Sequence, residues 1–504
     1  MQRPTPRHFT PLLIVQLLLT ACSATAHTPL HTPSTWPEPQ PQDWPVQAPV
    51  VRTVPNFQAA SAPHCSRPVA MREVPGRPAQ QDWPRSRREY APDRLSGSPA
   101  KDDVFTAPAA RAEAAGSGVG SLADSRAKSA GPSGIAPQFA PPRPSLPQPP
   151  QQPQDSQRPA PSGPVTAGMV DDNADFTSYL AFRARTRVTH RPRDVRERYL
   201  LEVKDPAGRG ISDAEVAVQA SNGYAMWART DTAGRAWLHP NAFDPSHAPT
   251  YDIAVRKDGR LASARLTRGQ KSSVEVTLAA RPAEARARLD LVFLVDATVS
   301  MADEIDKLKS SLRSIAGEVA RLPSQPDLCF GLVAYRDKGD AFLTRTHDLT
   351  SDLGGFLDNA LLPLHAAGGG DYPEAMNEAL HETVHNISWR GAGATRLVIL
   401  LADAPPHLDY GGPYYDDDMI AALGKGIKVF SVGASGLDKQ GEYIQRQIAQ
   451  YTGGRFVFLT YDKAHDPSSG PGRETVHDVR NYSVDTLDRL VVRLVSEELG
   501  RLGG

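Results

Sequence analysis

DLVFLVDATVSM, residues 290–301, is the stretch whose reading decides the fold. Leu291, Val292, Phe293, Leu294 and Val295 run without a polar break. The run is too short for a helix buried on all sides and suits a central parallel strand covered on both faces. Charge returns abruptly at Asp296, Thr298 and Ser300 follow at two-residue steps, and a helical pattern begins at once. One carboxylate and two hydroxyls thus stand at the carboxyl end of a buried strand, where open α/β sheets bind ligands.

Downstream, the chain alternates strand and helix. Residues 303–322 carry Ile305, Leu308, Leu312, Ile315 and Val319 at helical spacing. Strands are expected at 329–335, 341–346, 396–401, 429–432 and 455–459, with helices at 353–364, 374–389, 417–423, 442–451 and 484–499. This is an α/β pattern, a doubly wound and mostly parallel six-stranded sheet. The buried run 396–401 ends at Asp403 much as the first ends at Asp296. If the two strands flank the point where strand order reverses, both carboxylates face one crevice. A third acidic element, GGGDYPEA at 368–375, opens a helix. Asp296, Thr298, Ser300, Asp403 and either Asp371 or Glu374 form an all-oxygen donor set, which suits Mg²⁺, Mn²⁺ or Ca²⁺ rather than Zn²⁺. Without a cation the carboxylates repel one another in a low-dielectric cleft.

On these residues the segment 286–500 resembles a von Willebrand factor type A domain with a metal-ion-dependent adhesion site. The family's Asp-x-Ser-x-Ser is matched by Asp296, Thr298 and Ser300, with Thr in place of the first Ser. Its second strand-end Asp is matched by Asp403. The middle ligand, often Thr, has no Thr counterpart; Asp-x-Pro-Glu at 371–374 is similar to the corresponding integrin β loop, which assigns the role to Glu374 first and Asp371 second. ADAPPH at 402–407 resembles the same integrin segment and that of α-kinase-linked type A domains, although no kinase domain is present. The resemblance implies a binding protein, not an enzyme, whose divalent cation takes a carboxylate from a protein partner. Tyr410, Tyr414 and Tyr415 follow Asp403 and are candidates for the partner-binding rim; Asp416, Asp417 and Asp418 read equally well as an acidic helix start.

A competing motif sits in the helix after the Gly-rich loop. His381-Glu382-Thr383-Val384-His385 is HExxH, the zinc metalloprotease pattern. It lacks the HxxGxxH extension and an obvious downstream helical Glu as third ligand. Met376, Leu380, Val384 and Ile387 supply an apolar stripe that docks the helix and leaves both His on its flank. A secreted metalloprotease is therefore the alternative reading, and a cell-envelope or secretion scaffold with a vestigial metal site is another.

The front of the chain has a different composition. Of 46 prolines, 31 lie before residue 166, so this third does not read as globular. Arg3, Arg7 and His8 precede the apolar run 12–19, as in a secretory signal peptide. Leu19-Thr20-Ala21-Cys22 resembles a bacterial lipobox, which implies lipidation at Cys22; Ser23 after it implies an outer-membrane lipoprotein. The expected organisation is a signal peptide at 1–21, a disordered Pro-rich tether at 22–165, a short helical linker at 166–195, a small β-sandwich at 196–282 and the type A head. The β segment resembles transthyretin-like or carboxypeptidase regulatory-like domains through GRGISDAEVAV and TDTAGRAWL. Three cysteines (Cys22, Cys65 and Cys329) make no disulfide framework; Cys65 reads as an incidental thiol and Cys329 as a buried small hydrophobe. A net charge of -1 over 504 residues argues against nucleic acid as a partner.

Overall fold

The run 291–295 is fully buried, and its alternation explains why it lacks a polar face. Leu291, Phe293 and Val295 enter one apolar cluster while Val292 and Leu294 enter another on the opposite side of the sheet. Residues 397–402 divide in the same way, Leu397, Ile399 and Leu401 to one side and Val398, Leu400 and Ala402 to the other. The computed structural model describes residues 65, 71–76, 164–280, 286–370, 372–391 and 393–502.

In chain order the elements begin with β1 (Arg72–Val74), β2 (Thr166–Val170) and α1 (Phe176–Arg185), whose N-cap Asp175 accepts from Ser178 N. Strands β3 (Tyr199–Lys204), β4 (Glu215–Ala220), β5 (Ala225–Arg229) and β6 (Arg235–Leu238) precede the short α2 (Pro240–Phe243). Then come β7 (Thr250–Lys257), β8 (Arg260–Thr267) and β9 (Val274–Thr277). These seven strands make two small sheets, β6-β3-β9 and β5-β4-β7-β8, sharing the apolar cluster that contains Leu201, Val203, Val216, Val218 and Ile253.

The larger unit starts with β10 (Arg288–Asp296), a tight turn at 299–303 and α3 (Ile305–Ala320). It continues with β11 (Asp327–Tyr335), β12 (Thr344–Thr350), α4 (Leu353–Phe356), α5 (Met376–His385), β13 (Ala394–Ala402) and α6 (Tyr415–Lys425). It closes with β14 (Ile427–Gly433), α7 (Lys439–Tyr451), β15 (Phe456–Lys463), β16 (Asp466–Pro471), β17 (Asp485–Thr486) and α8 (Leu487–Gly500).

The main sheet has ten strands, not six. Its order is β1-β12-β11-β10-β13-β14-β15-β2-β17, with β16 on β15. Strands β11, β10, β13, β14 and β15 are parallel neighbours, and β12 is antiparallel to β11. The chain runs outward from β10 through β11 to β12, then returns to place β13 on the other side of β10. The switch point thus lies between the two strands that end at Asp296 and Asp403.

Two of the added strands, β1 and β2, come from residues assigned by composition to a tether and a linker. Strand β1 pairs antiparallel with β12, and β2 pairs antiparallel with β15. The cysteine reading is also corrected: Cys65 and Cys329 form a disulfide, with Cα atoms 6.1 Å apart. Arg72 adds ion pairs to Asp348 and Glu382, and Leu343 N donates to Val74 O. Three-residue strands gain little by themselves; a covalent bond and a partly buried ion pair fix this one, and neither leaves a trace in hydrophobic periodicity. The remaining tether, the signal peptide and Cys22 lie outside the described residues.

The β-rich unit docks on the main one through charge and stacking. Asp213 binds both Arg229 and Arg396, and Gly393 N donates to its other oxygen at 2.5 Å. His239 stacks on Tyr451 with ring centroids 4.9 Å apart. Arg191 and Arg193 reach Asp416 and Asp417 at the start of α6.

Candidate functional site

Strand register builds the site. Val295 of β10 lies opposite Leu401 of β13, so Asp296 and Asp403 leave adjacent strands within one residue of the same level. Immediately after β10 the chain turns on itself. Thr298 N and Thr298 Oγ1 both donate to Asp296 Oδ1, at 3.0 and 2.7 Å, and Thr298 Oγ1 lies 2.9 Å from Ser300 Oγ. Asp296 and Thr298 are buried, while Ser300 opens to solvent.

Glu374 enters from the Gly-rich loop. Its backbone is clamped by the segment after Asp403: Glu374 N donates to Pro405 O at 3.1 Å, and His407 N donates to Glu374 O at 3.3 Å. Gly368 and Gly369 have φ of 76° and 67°, in the region that disfavours a side chain. A Cβ on Gly369 would fall 2.8 Å from Glu374 Oε1 and 3.1 Å from the Thr298 Cβ. One on Gly368 would fall 2.3 Å from Asp340 Oδ2. The glycines therefore let the loop pass close enough to bring Glu374 toward Thr298. Asp340 Oδ2 pins that loop by accepting from Gly369 N at 2.7 Å and from Asp337 N at 3.0 Å.

Three buried carboxylates consequently converge here. Among the described residues, Asp296 Oδ2, Glu374 Oε2 and Asp403 Oδ1 are buried without a hydrogen-bond partner. Burial pushes Asp296 up to about 6, against the hydrogen bonds from Thr298. Burial and then the charge of Asp296 push Asp403 up to about 8, with the Ser300 hydroxyl opposing. Burial and the charges of Asp296, Asp337 and Asp403 push Glu374 up to about 9. Buried acceptors with no donor and with like charges beside them are costly unless a cation balances them. The donor set is entirely oxygen and fits a hard divalent cation.

Of the expected site residues, the structure brings Asp296, Thr298, Ser300, Glu374 and Asp403 together; Asp371 lies outside the described residues. The surrounding groups that spacing did not single out are Asp337, Asp340, Glu304 and His407. His407 bridges Asp337 and Asp409 at 3.1 Å each, and Tyr461 donates its hydroxyl to Glu304. Only the His in ADAPPH was a visible signal among them.

Of the three rim tyrosines, Tyr410 and Tyr414 are partly exposed and Tyr415 is not. Tyr415 is fully buried, its hydroxyl 3.1 Å from Gln447 Oε1 and 3.3 Å from Arg191 O, because it opens the inward face of α6. Tyr414 carries the Arg191 guanidinium 3.8 Å over its ring. Tyr410 is half-buried, donates to Glu378 and holds Lys338 Nζ over its face. Val299 and Tyr372, 59% and 47% accessible, add exposed apolar surface near the site. A cleft of about 620 Å³ starts at Ser300 and Asp403 and runs past Leu437, Asp438, Tyr461 and His477.

In HETVH the side chains divide between two sets of contacts. Glu382, the residue that would serve as base, accepts from Arg72, Thr346 and Asn386, and these contacts hold its carboxyl below the usual range despite burial. The sequence offers no obvious downstream Glu as a third ligand, but an Asp stands beside both imidazoles. Asp418 of α6 lies 3.0 Å from His381 Nδ1 and 2.9 Å from His385 Nε2.

Comparisons agree with the fold of the larger unit. The von Willebrand factor A domain family matches residues 290–406. The chain is 30% identical over 140 residues to the alpha-protein kinase vwkA of Dictyostelium discoideum, covering 27% of this chain and 22% of that one. It is 31% identical over 126 residues to an ariadne-like RING finger protein of Acanthamoeba polyphaga mimivirus, covering 24% and 12%. The chain thus spans less than a quarter of either relative's length. Among solved structures, the pilus adhesin SpaC of Lactobacillus rhamnosus GG in its open conformation aligns with 40% of this chain and 29% of its own. That alignment has 15% identity and a TM-score of 0.26, too low to carry an argument.

Proposed function

We propose, for a chain whose residues 290–406 form a von Willebrand factor A domain, that it binds a protein partner through a divalent cation at the β10–β13 switch point. The observation that carries this reading is the convergence, from three separate loops, of three buried carboxylate oxygens without a hydrogen-bond partner among the described residues. Asp296, Ser300, Glu374 and Asp403 would hold Mg²⁺, Mn²⁺ or Ca²⁺, with Thr298 orienting Asp296 and Ser300. The cation would supply a positive centre that accepts a carboxylate from the partner. The protein's own residues perform the rest: Asp340 and the glycines hold the Glu374 loop, and the hydroxyl of Ser300 faces solvent. The cleft from Ser300 to His477 and the exposed Val299 and Tyr372 offer the partner apolar and polar contacts beside the charge.

In this reading the chain is not an enzyme, and Cys22 tethers it to a bacterial envelope. The Cys65–Cys329 disulfide supports an oxidising compartment, where such bonds persist. The test is a thermal melt of the full chain in EDTA and then in Mg²⁺, Mn²⁺ or Ca²⁺. Stabilisation by at least one cation, lost in Asp296→Ala, is expected; a melt indifferent to all three refutes the cation-dependent reading. Casein hydrolysis that requires zinc and vanishes in Glu382→Gln would overturn the non-enzymatic part.

A further inference from the structure

We infer that His381, His385 and Asp418 form a second metal site, selective for a borderline ion such as Zn²⁺ and structural rather than catalytic. The ligands come from two packed helices. His381 and His385 sit one turn apart on α5, and their rings lie 4.4 Å centroid to centroid. Asp418 projects from the first turn of α6. One nitrogen from each imidazole and one carboxylate oxygen all lie within 4.8 Å of one another.

Two features distinguish this group from an ordinary His–Asp contact. First, a single oxygen, Asp418 Oδ1, faces both rings, at 3.0 and 2.9 Å. Ligand atoms about 2.0–2.1 Å from a tetrahedral zinc sit roughly 3.3 Å apart, so small side-chain adjustments admit the ion. Second, Asp418 is 2% exposed, and its other oxygen, Oδ2, is buried without a hydrogen-bond partner among the described residues. A buried carboxylate with an idle oxygen retains unused acceptor capacity. The imidazoles are half open to solvent, 45% and 34% accessible, which provides an entry path and room for water as fourth ligand.

Chemistry separates this site from the one at Asp296. Two imidazoles with one carboxylate suit Zn²⁺ and its neighbours in the transition series, whereas Mg²⁺ requires hard oxygen donors. Glu382 is withdrawn from the site by Arg72, Thr346 and Asn386, so a bound ion has no adjacent base. Its effect is mechanical. Helix α5 begins two residues after Glu374, and α6 ends the loop that leaves Asp403. An ion joining them would brace both loops of the first site from behind, alongside the Lys425 Nζ bond to Val384 O.

The experiment is Zn²⁺ titration of the full chain by calorimetry, with Co²⁺ as a spectroscopic probe. Wild type should bind one Zn²⁺ that excess Mg²⁺ does not displace, melt at higher temperature with zinc, and give visible d–d bands of tetrahedral strength with Co²⁺. The double variant His381→Ala/His385→Ala should lose that event, and Asp418→Asn should weaken it by at least about tenfold. Glu382→Gln and Asp296→Ala should retain it. Absence of the Co²⁺ bands in wild type, or zinc binding unchanged in the double variant, overturns the assignment. The Co²⁺ readout on wild type decides the matter even if a variant fails to fold. Retention in Asp296→Ala keeps this result separate from the fate of the first site.

Discussion

Asp296 illustrates how one residue can oppose folding and serve binding. It is buried, it lies beside Glu374 and Asp403, and its Oδ1 takes both hydrogen bonds from Thr298. A cation that binds only the folded state should stabilise it by about 2.7 kcal/mol at a hundredfold excess over Kd. Asp296→Ala should abolish that gain in a melt and leave the EDTA-treated protein no less stable, since a repulsion is relieved. Gly369→Ala tests the loop. Its φ of 67° disfavours Ala, and the new Cβ would crowd Glu374 Oε1 and Thr298. We expect a loss of about 1–2 kcal/mol and a blunted cation response; a fully retained response would show that Glu374 does not need this close approach.

At the scale of elements, the edge strand β1 is the unusual part. A three-residue strand is held by the Cys65–Cys329 bond, by Arg72 on Glu382 and Asp348, and by its ladder with β12. The bond closes a loop across a sequence separation of 264. Cys65→Ala should therefore lower stability by about 2–5 kcal/mol under non-reducing conditions, with dithiothreitol removing the difference from wild type. Denaturant melts with and without reductant measure this. Equal stability of both proteins in the oxidised state would mean that the ladder and Arg72 suffice.

For the molecule as a whole, the junction between the β-rich unit and the main sheet contributes to acid sensitivity. His239 is fully buried on Tyr451, and its ring nitrogens have no hydrogen-bond partner among the described residues. Burial, with Arg198 and Arg183 nearby, pushes it from 6.5 down to about 3. The folded state therefore refuses a proton that the unfolded chain accepts. The contribution of His239 is fully present above pH 6.5 and is lost as pH falls toward 3. The size is on the order of a few kcal/mol, since each pKa unit is worth about 1.4 kcal/mol. His239→Leu should flatten the stability curve across that window relative to wild type. Identical acid limbs would place the acid-sensitive group elsewhere.

The apolar run 291–295 determined by itself that a two-faced strand lies at the centre, because only a buried parallel strand needs no polar side. The position of Asp296 just beyond that run, and of Asp403 beyond the matching run, likewise carried the strand-end carboxylates. What spacing left open was decided by contacts between segments distant in the chain. The added strands β1 and β2 arise from pairing with residues more than 250 positions away, in stretches whose composition reads as tether and linker. Cys65 and Cys329 meet only once β1 is laid on β12, and Tyr415 turns inward only because α6 packs on the sheet. Asp418 becomes a neighbour of His381 and His385 through the packing of α5 on α6. Local periodicity reports which face of an element is buried; it carries no information about which other element covers that face, and the ligands of a site are set by that choice.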